Sequence, residues 1–169
     1  MTIAEAAQLR GETPEETIVN LIIEDESRIQ CIYFSMSEEN VRKKIKLPWV
    51  SFDSDAGSYS DISKDFITHP RAFGSFARVL GKYVREEKLI SMEEAIRRLS
   101  GFPSDNLGVK NRGYLKVGYY ADIVVFDPKT IRDKATFEDP LQFAEGVEHV
   151  FVNGVQVLSD GEHTGNFPG

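Results

Sequence analysis

The sequence predicts an α/β protein whose first part alternates helices with single strands and whose last part consists of short strands. In the first third, stretches with helical spacing alternate with two apolar runs at 29–34 and 49–52. This alternation is typical of parallel strands joined by crossover helices. Near the end, an Asn-Gly pair separates two apolar runs, which is the strongest short signal for a β-hairpin. We expect the change from the helical part to the strand-rich part near 101–115, a stretch rich in glycine.

Two N-terminal helices are predicted by their capping residues. Thr2 and Glu5 have the spacing of a capping box, and Gly11 is placed to end the helix. The pair at 13–14 is Thr-Pro, which begins a second helix that runs to about Glu24.

Strands and a third helix follow. We expect a strand at 29–34, and we expect Cys31 within it to be a small buried hydrophobe, because a lone cysteine has no partner for an internal disulfide. A helix is predicted over 38–46, capped by one of the serines before it. The run 49–52 combines aromatic and β-branched residues and is predicted to be a second buried strand.

The middle of the chain predicts two more helices. Aromatic and aliphatic residues recur at near-helical spacing over 72–87, which indicates a helix with a buried aromatic face. Ser91 begins a second capping box, whose helix should end at Gly101. We expect turns from there to 118.

Strands are predicted for the C-terminal part. The run 121–126 is apolar and is followed by Pro128, which cannot continue a strand. A hairpin is predicted over 147–158, with the turn at Asn153-Gly154.

Composition and net charge exclude some classes of function. The chain has 169 residues, 41% of them hydrophobic, so it can bury one sizeable core. Acidic residues outnumber basic ones by 27 to 20, and the net charge of -7 argues against nucleic acid or an anionic membrane as the main partner. The sequence has neither a signal-peptide pattern nor an apolar run long enough for a membrane span, so we expect a cytoplasmic location.

Asp55 is the leading candidate for a reactive group. It lies just after the run 49–52, and parallel α/β sheets place their reactive groups past the carboxyl ends of strands. The alternative is that Asp53 and Asp55 are turn formers, because aspartate readily caps its own backbone in loops. Local sequence does not decide between the two.

The three histidines are too far apart in the sequence to form a metal site from adjacent residues. We expect His149 to be a surface or edge residue before the hairpin, and His163 to lie in the polar tail. His69 differs, because it shares a loop region with Asp55 and Arg71. The residues alone therefore indicate a site made of one aspartate with an arginine and a histidine nearby.

An ordered set of motifs resembles the C-terminal half of the N-acyl-D-amino-acid deacylase (D-aminoacylase) group of the amidohydrolase superfamily. The motifs begin with Ser-Asp-Ala-Gly and His-Pro-Arg and cover nearly the whole chain. They lie at 54–57, 69–71, 73–85, 113–128, 135–140, 152–155 and 161–165.

The resemblance implies a fold. It implies the last part of a (β/α)8 metal-dependent hydrolase barrel, followed by strands of a small β-sandwich. On this basis residues 1–105 would form the last strand-helix units of the barrel, and residues 106–169 the sandwich strands and the tail.

The resemblance also implies roles for four residues. Asp55 would stand at the metal centre, take a proton from the metal-activated water and pass it to the leaving nitrogen. Arg71 would bind the free carboxylate of an N-acyl amino acid, or would instead stabilise its own loop. His69 and Ser54 are further candidates for substrate binding. Ala56 stands where the family has glycine, which indicates a different substrate preference.

The resemblance implies zinc in the complete enzyme, but this chain has no counterpart of the family's metal-binding histidines. A full barrel needs about 250 residues. We therefore expect the chain alone to bind no catalytic metal and to hydrolyse nothing, and its partner to be the missing N-terminal barrel segment or a second copy. The alternatives are a noncatalytic binding module with the same fold, or part of a cyclic-amide hydrolase similar to dihydropyrimidinase.

Overall fold

The computed structural model describes residues 1–26, 29, 31–57 and 68–169. It divides into two compact units, Met1–Ser35 and Met36–Gly169. Among the described residues, no helix combines the length and the apolar character that crossing a membrane requires. The domain boundary predicted between 105 and 106 stays a prediction.

The first unit contains the two predicted helices, α1 (Ile3–Arg10) and α2 (Pro14–Asp25). Both capping boxes form: the side chains of Thr2 and Thr13 each accept a hydrogen bond from the backbone N–H of a glutamate three residues later. Gly11 ends α1 in the left-handed conformation with φ 69°. These predictions are confirmed because a helix cap depends only on residues within one turn.

Neither predicted strand of the first third is present among the described residues. The described part of 29–34 is irregular and Cys31 is exposed, so the predictions of a strand and of a buried thiol were both wrong. The run 49–52 is also irregular, and the side chain of Trp49 is 68% exposed. A strand exists only where its backbone pairs with neighbours, and the four described strands all lie together in the C-terminal sheet.

The second unit begins with its helices. Helix α3 (Glu38–Ile45) is capped by Ser37 as predicted. The helix predicted over 72–87 forms as α4 (Arg71–Arg78), which continues directly into a π-helical segment, Val79–Glu86. The buried face includes Leu80.

Two helices follow the π-helical segment. Helix α5 (Met92–Leu99) is capped by Ser91, as the sequence predicts. The turns predicted after Gly101 are partly wrong, because α6 (Gly101–Leu107) follows at once. Pro103 is compatible with this helix because it lies in the first turn, where a backbone N–H has no partner within the helix.

The four strands form an antiparallel sheet in the order β1 (Ile123–Phe126), β2 (Val147–Val152), β3 (Val155–Ser159) and β4 (Glu162–His163). The predicted hairpin joins β2 to β3, and both turn residues have positive φ, 50° at Asn153 and 81° at Gly154. That geometry favours Asn-Gly because both positions require the left-handed region. His149 is half-buried in β2 between two neighbouring strands, so its prediction as a surface or edge residue was wrong.

The core of the second unit lies where the helices meet the loop after β1. Ile131 from that loop is 1% exposed and Ala95 from α5 is 0% exposed, and both belong to one buried cluster with Leu80. The Ile131 carbonyl oxygen accepts a hydrogen bond of 2.5 Å from Arg85 Nη1. At Gly81, a Cβ atom would lie 2.6 Å from the same oxygen, so only glycine permits this close approach.

Candidate active site

Asp55 and Arg71 form a two-point contact. Arg71 Nη2 lies 2.8 Å from Asp55 Oδ2, and Arg71 Nε donates a hydrogen bond of 3.1 Å to the Asp55 backbone oxygen. Asp55 has φ 47°, in the left-handed region that aspartate enters more easily than most residues. Arg71 is the first residue of α4, so the helix fixes the backbone from which its guanidinium reaches Asp55.

The pair faces solvent. The side chain of Asp55 is 78% exposed and that of Arg71 is 45% exposed. An exposed ion pair of this kind contributes about 0–1 kcal/mol. Arg71 can therefore exchange Asp55 for another carboxylate at little cost, and the Asp55 carboxylate is open to reactants.

His69 lies beside the pair through the Arg71 backbone. The Arg71 N–H donates a hydrogen bond of 3.1 Å to His69 Nδ1, which places the proton of the neutral ring on Nε2. The ring meets Phe137 edge-on, with 5.1 Å between centroids. Burial, and then the charge of Arg71, lowers the pKa of His69 below its ordinary value, which favours the neutral ring. Ser54, the fourth predicted site residue, is half-buried next to Asp55 in the sequence.

Arg71 also lines a cavity of about 1040 Å³. Apolar side chains from α4, α5 and the β1–β2 pair form most of the wall, including those of Phe76, Ile96 and Val124. Asp55 is not among the lining residues, so Arg71 is the site residue that connects the ion pair to this cavity.

The described residues do not fit a zinc site by themselves. Structural and catalytic zinc sites use three or four protein ligands, and no group of three His, Cys, Asp or Glu side chains within residues 1–26, 29, 31–57 and 68–169 could hold a metal ion. Asp55 offers one oxygen donor. His149 instead approaches Gln156, with 3.3 Å from its Nδ1 to Gln156 Nε2, and the His163 ring lies against Phe167 with 5.1 Å between centroids.

Two features near the site were missed by sequence reasoning. The contact of His69 with Phe137 joins residues far apart in the chain, and no sequence signal indicates it. The second feature is Arg98, which is fully buried and donates hydrogen bonds to the backbone just before Asp55. A signal for it existed, because Arg98 follows Ala95 by three residues and therefore lies on the buried face of a predicted helix.

Comparisons with known proteins give consistent results. A model of the amidohydrolase family matches residues 2–158. The N-acyl-D-aspartate deacylase of Alcaligenes xylosoxydans xylosoxydans is 38% identical over 161 residues, which cover 92% of this chain and 31% of that enzyme.

Two solved structures are also similar. A crystal structure of D-aminoacylase has a TM-score of 0.82 and 36% identity, covering 97% of this chain and 32% of that one. The N-acyl-D-glutamate deacylase from Bordetella bronchiseptica, complexed with zinc and a phosphonate inhibitor that mimics the tetrahedral intermediate, has a TM-score of 0.80 and 37% identity over 92% of this chain and 31% of that one. The chain thus spans about a third of the length of these relatives.

Proposed function

Because the chain belongs to the amidohydrolase family, we propose that it is the C-terminal portion of a zinc-dependent enzyme that hydrolyses the amide bond of N-acyl-D-amino acids. The observation that supports this most is that nearly the whole chain aligns with deacylases of this substrate class. The barrel and the sandwich that the resemblance implies are part of this proposal, as is the split at 105 and 106.

Asp55 is the general acid and base of the proposed reaction. Its carboxylate accepts a proton from the attacking water and delivers that proton to the amide nitrogen, which must be protonated to leave as an amine. The exposed side chain supports this role, because the carboxylate is accessible to water and substrate.

Zinc in the complete enzyme would supply Lewis acidity for the attack on the amide carbonyl. Asp55 could contribute one carboxylate, but among the described residues no group of three His, Cys, Asp or Glu side chains could hold a metal ion. We therefore propose that the remaining ligands come from polypeptide outside this chain, and that the chain alone hydrolyses nothing.

Arg71 binds the free carboxylate of the substrate in this proposal. Its guanidinium already holds one carboxylate, that of Asp55, in an exposed pair that is easily exchanged. His69 orients the start of α4 by accepting the Arg71 N–H. Ser54 stays a candidate for a further substrate contact.

The test is reconstitution. The chain is mixed with the part of the Alcaligenes xylosoxydans N-acyl-D-aspartate deacylase that it does not match, and the assembly is called the reconstituted enzyme below. Amine release from N-acetyl-D-aspartate, N-acetyl-D-glutamate and their L enantiomers is measured with zinc present. We expect release from D substrates by the reconstituted enzyme and none by the chain alone. A zinc-loaded assembly that cleaves neither D substrate would overturn the proposed activity and would favour a noncatalytic module.

Replacing Arg71 should weaken substrate binding. A hydrogen-bonded charge pair contributes about 1.5–3 kcal/mol, so Arg71→Met in the reconstituted enzyme is expected to raise KM by roughly 10- to 100-fold, with a smaller change in kcat. Initial rates over a range of substrate concentrations measure both constants.

Arg132→Met is the matched control, because Arg132 is a more exposed arginine that pairs with Glu145. Its KM should equal that of the unaltered enzyme. If Arg71→Met lowers kcat and leaves KM unchanged, Arg71 stabilises its loop and does not bind the substrate.

A further inference from the structure

The segment that leads to Asp55 is held by two consecutive arginines of α5. Arg97 Nη2 donates a hydrogen bond of 2.9 Å to the Pro48 carbonyl oxygen. Arg98 donates through Nε to the carbonyl of Val50 at 2.5 Å and through Nη1 to that of Ile45 at 2.6 Å. Three backbone acceptors of 45–50 are therefore satisfied by guanidinium groups in a stretch that has no strand pairing.

Burying the charged Arg98 side chain has an energetic cost. Arg98 is 0% exposed, and its Nη2 has no hydrogen-bond partner among the residues that the structure describes. Its guanidinium carbon lies 4.5 Å from the centre of the Phe52 ring, and burial lowers the pKa of the group below its ordinary value. A buried charge is costly unless its hydrogen bonds are made. The two carbonyls, the Phe52 ring and the negative charge of Glu94 stabilise the Arg98 guanidinium here.

Arg97 is fixed by different contacts. It pairs with Glu94 at 2.8 Å within α5, and its guanidinium carbon lies 4.8 Å from the centre of the Phe102 ring. The salt bridge and the ring limit the orientations of the guanidinium, so that Nη2 stays directed at Pro48. Arg97 thus contacts residues 45–50 from the surface, and Arg98 contacts them from the interior.

We propose that Arg97 and Arg98 are positioning residues. They hold the backbone of residues 45–52 in one conformation and thereby determine the position of Asp55. Guanidinium N–H groups supply the donors that a neighbouring strand would otherwise supply. The effect on catalysis rests on the proposed function of Asp55. The proposal that the two arginines hold the backbone of residues 45–52 does not depend on that function.

The only tryptophan of the chain, Trp49, lies inside this segment and reports on it directly. The experiment measures time-resolved fluorescence anisotropy of Trp49 in the 169-residue chain, with far-UV circular dichroism as the check on helix content. In Arg98→Met we expect the amplitude of the fast, nanosecond component to rise about twofold. Arg98→Lys keeps the charge and a donor, and should restore part of the slow component.

Arg132→Met is the control and should leave the Trp49 decay unchanged. An Arg98→Met variant with native helix content and an unchanged decay overturns the proposal. If Arg98→Met loses its helix content, the Trp49 decay of Arg97→Met is the deciding measurement. The Arg97 side chain is 41% exposed, so its replacement should disturb folding less. A raised fast component in folded Arg97→Met supports the proposal, whereas an unchanged decay, or loss of helix content there too, overturns it. Because no hydrolysis is measured, a failure here is distinct from a failure of the proposed function.

Discussion

Asp55→Asn in the reconstituted enzyme is expected to lower kcat by about 10²- to 10⁴-fold, because general acid and base catalysis contributes that much and an amide cannot carry the proton. The substitution keeps the size and shape of the side chain. It removes an exposed ion pair with Arg71, which should change the free energy of unfolding by at most about 1 kcal/mol. Single-turnover rates with an N-acyl-D-amino acid measure the effect on the chemical step.

Asp53→Asn is the matched control, because Asp53 is also exposed and lies two residues earlier in the same segment. Its kcat should stay close to that of the unaltered enzyme. Zinc content is measured for both variants, so that a loss of metal is separated from a loss of proton transfer. Equal rates for Asp55→Asn and Asp53→Asn would contradict the role of Asp55 and would favour a turn-forming role for both.

Ile131→Ala is expected to lower the free energy of unfolding of the chain by about 2–5 kcal/mol. Ile131 is 1% exposed in the cluster that joins the helices to the loop after β1, so truncating its side chain removes buried apolar contacts. Urea denaturation followed by circular dichroism measures the change.

Val124→Ala removes two methyl groups from a side chain that is 57% exposed. It should change the same free energy by less than about 0.5 kcal/mol. If both variants lose a similar amount of unfolding free energy, Ile131 does not make the dominant contribution to the core of this unit.

Local signals predicted the helices and the hairpin well. The N-caps at Thr2, Thr13 and Ser91 and the turn at Asn153-Gly154 depend on residues close in the sequence, and the structure confirms each of them. The reciprocal capping box forms at Thr2 and Thr13, whereas Ser91 makes only the N-cap hydrogen bond to the Glu94 N–H. The resemblance to the deacylase group of the amidohydrolases is confirmed by the comparisons.

Non-local features were predicted poorly. The runs 29–34 and 49–52 have strand composition, but a strand also needs partners that composition does not supply, and the described residues of both runs are irregular. The exposure of Cys31 follows from the same error. At α6, the sequence suggested turns because glycine and proline are compatible with both a turn and a helix start.

The candidate site was predicted in part. The sequence placed Asp55, His69 and Arg71 in one region, and the structure joins them through the ion pair and the hydrogen bond to Nδ1. The arginine pair behind the site was not predicted, because a basic residue at the end of a helix is usually exposed. Arg98 is buried only because two carbonyls of a distant segment meet it there.

The most direct test of the central claim is a crystal structure of the reconstituted enzyme with zinc and a phosphonate that mimics the tetrahedral intermediate of N-acyl-D-aspartate hydrolysis and keeps the free carboxylates of that substrate. We predict that an Asp55 carboxylate oxygen lies within hydrogen-bond reach, about 2.6–3.2 Å, of a phosphonate oxygen, and that Arg71 has moved from Asp55 to the inhibitor's carboxylate. A structure in which zinc and inhibitor are bound while Asp55 remains paired with Arg71, away from both, would contradict the account.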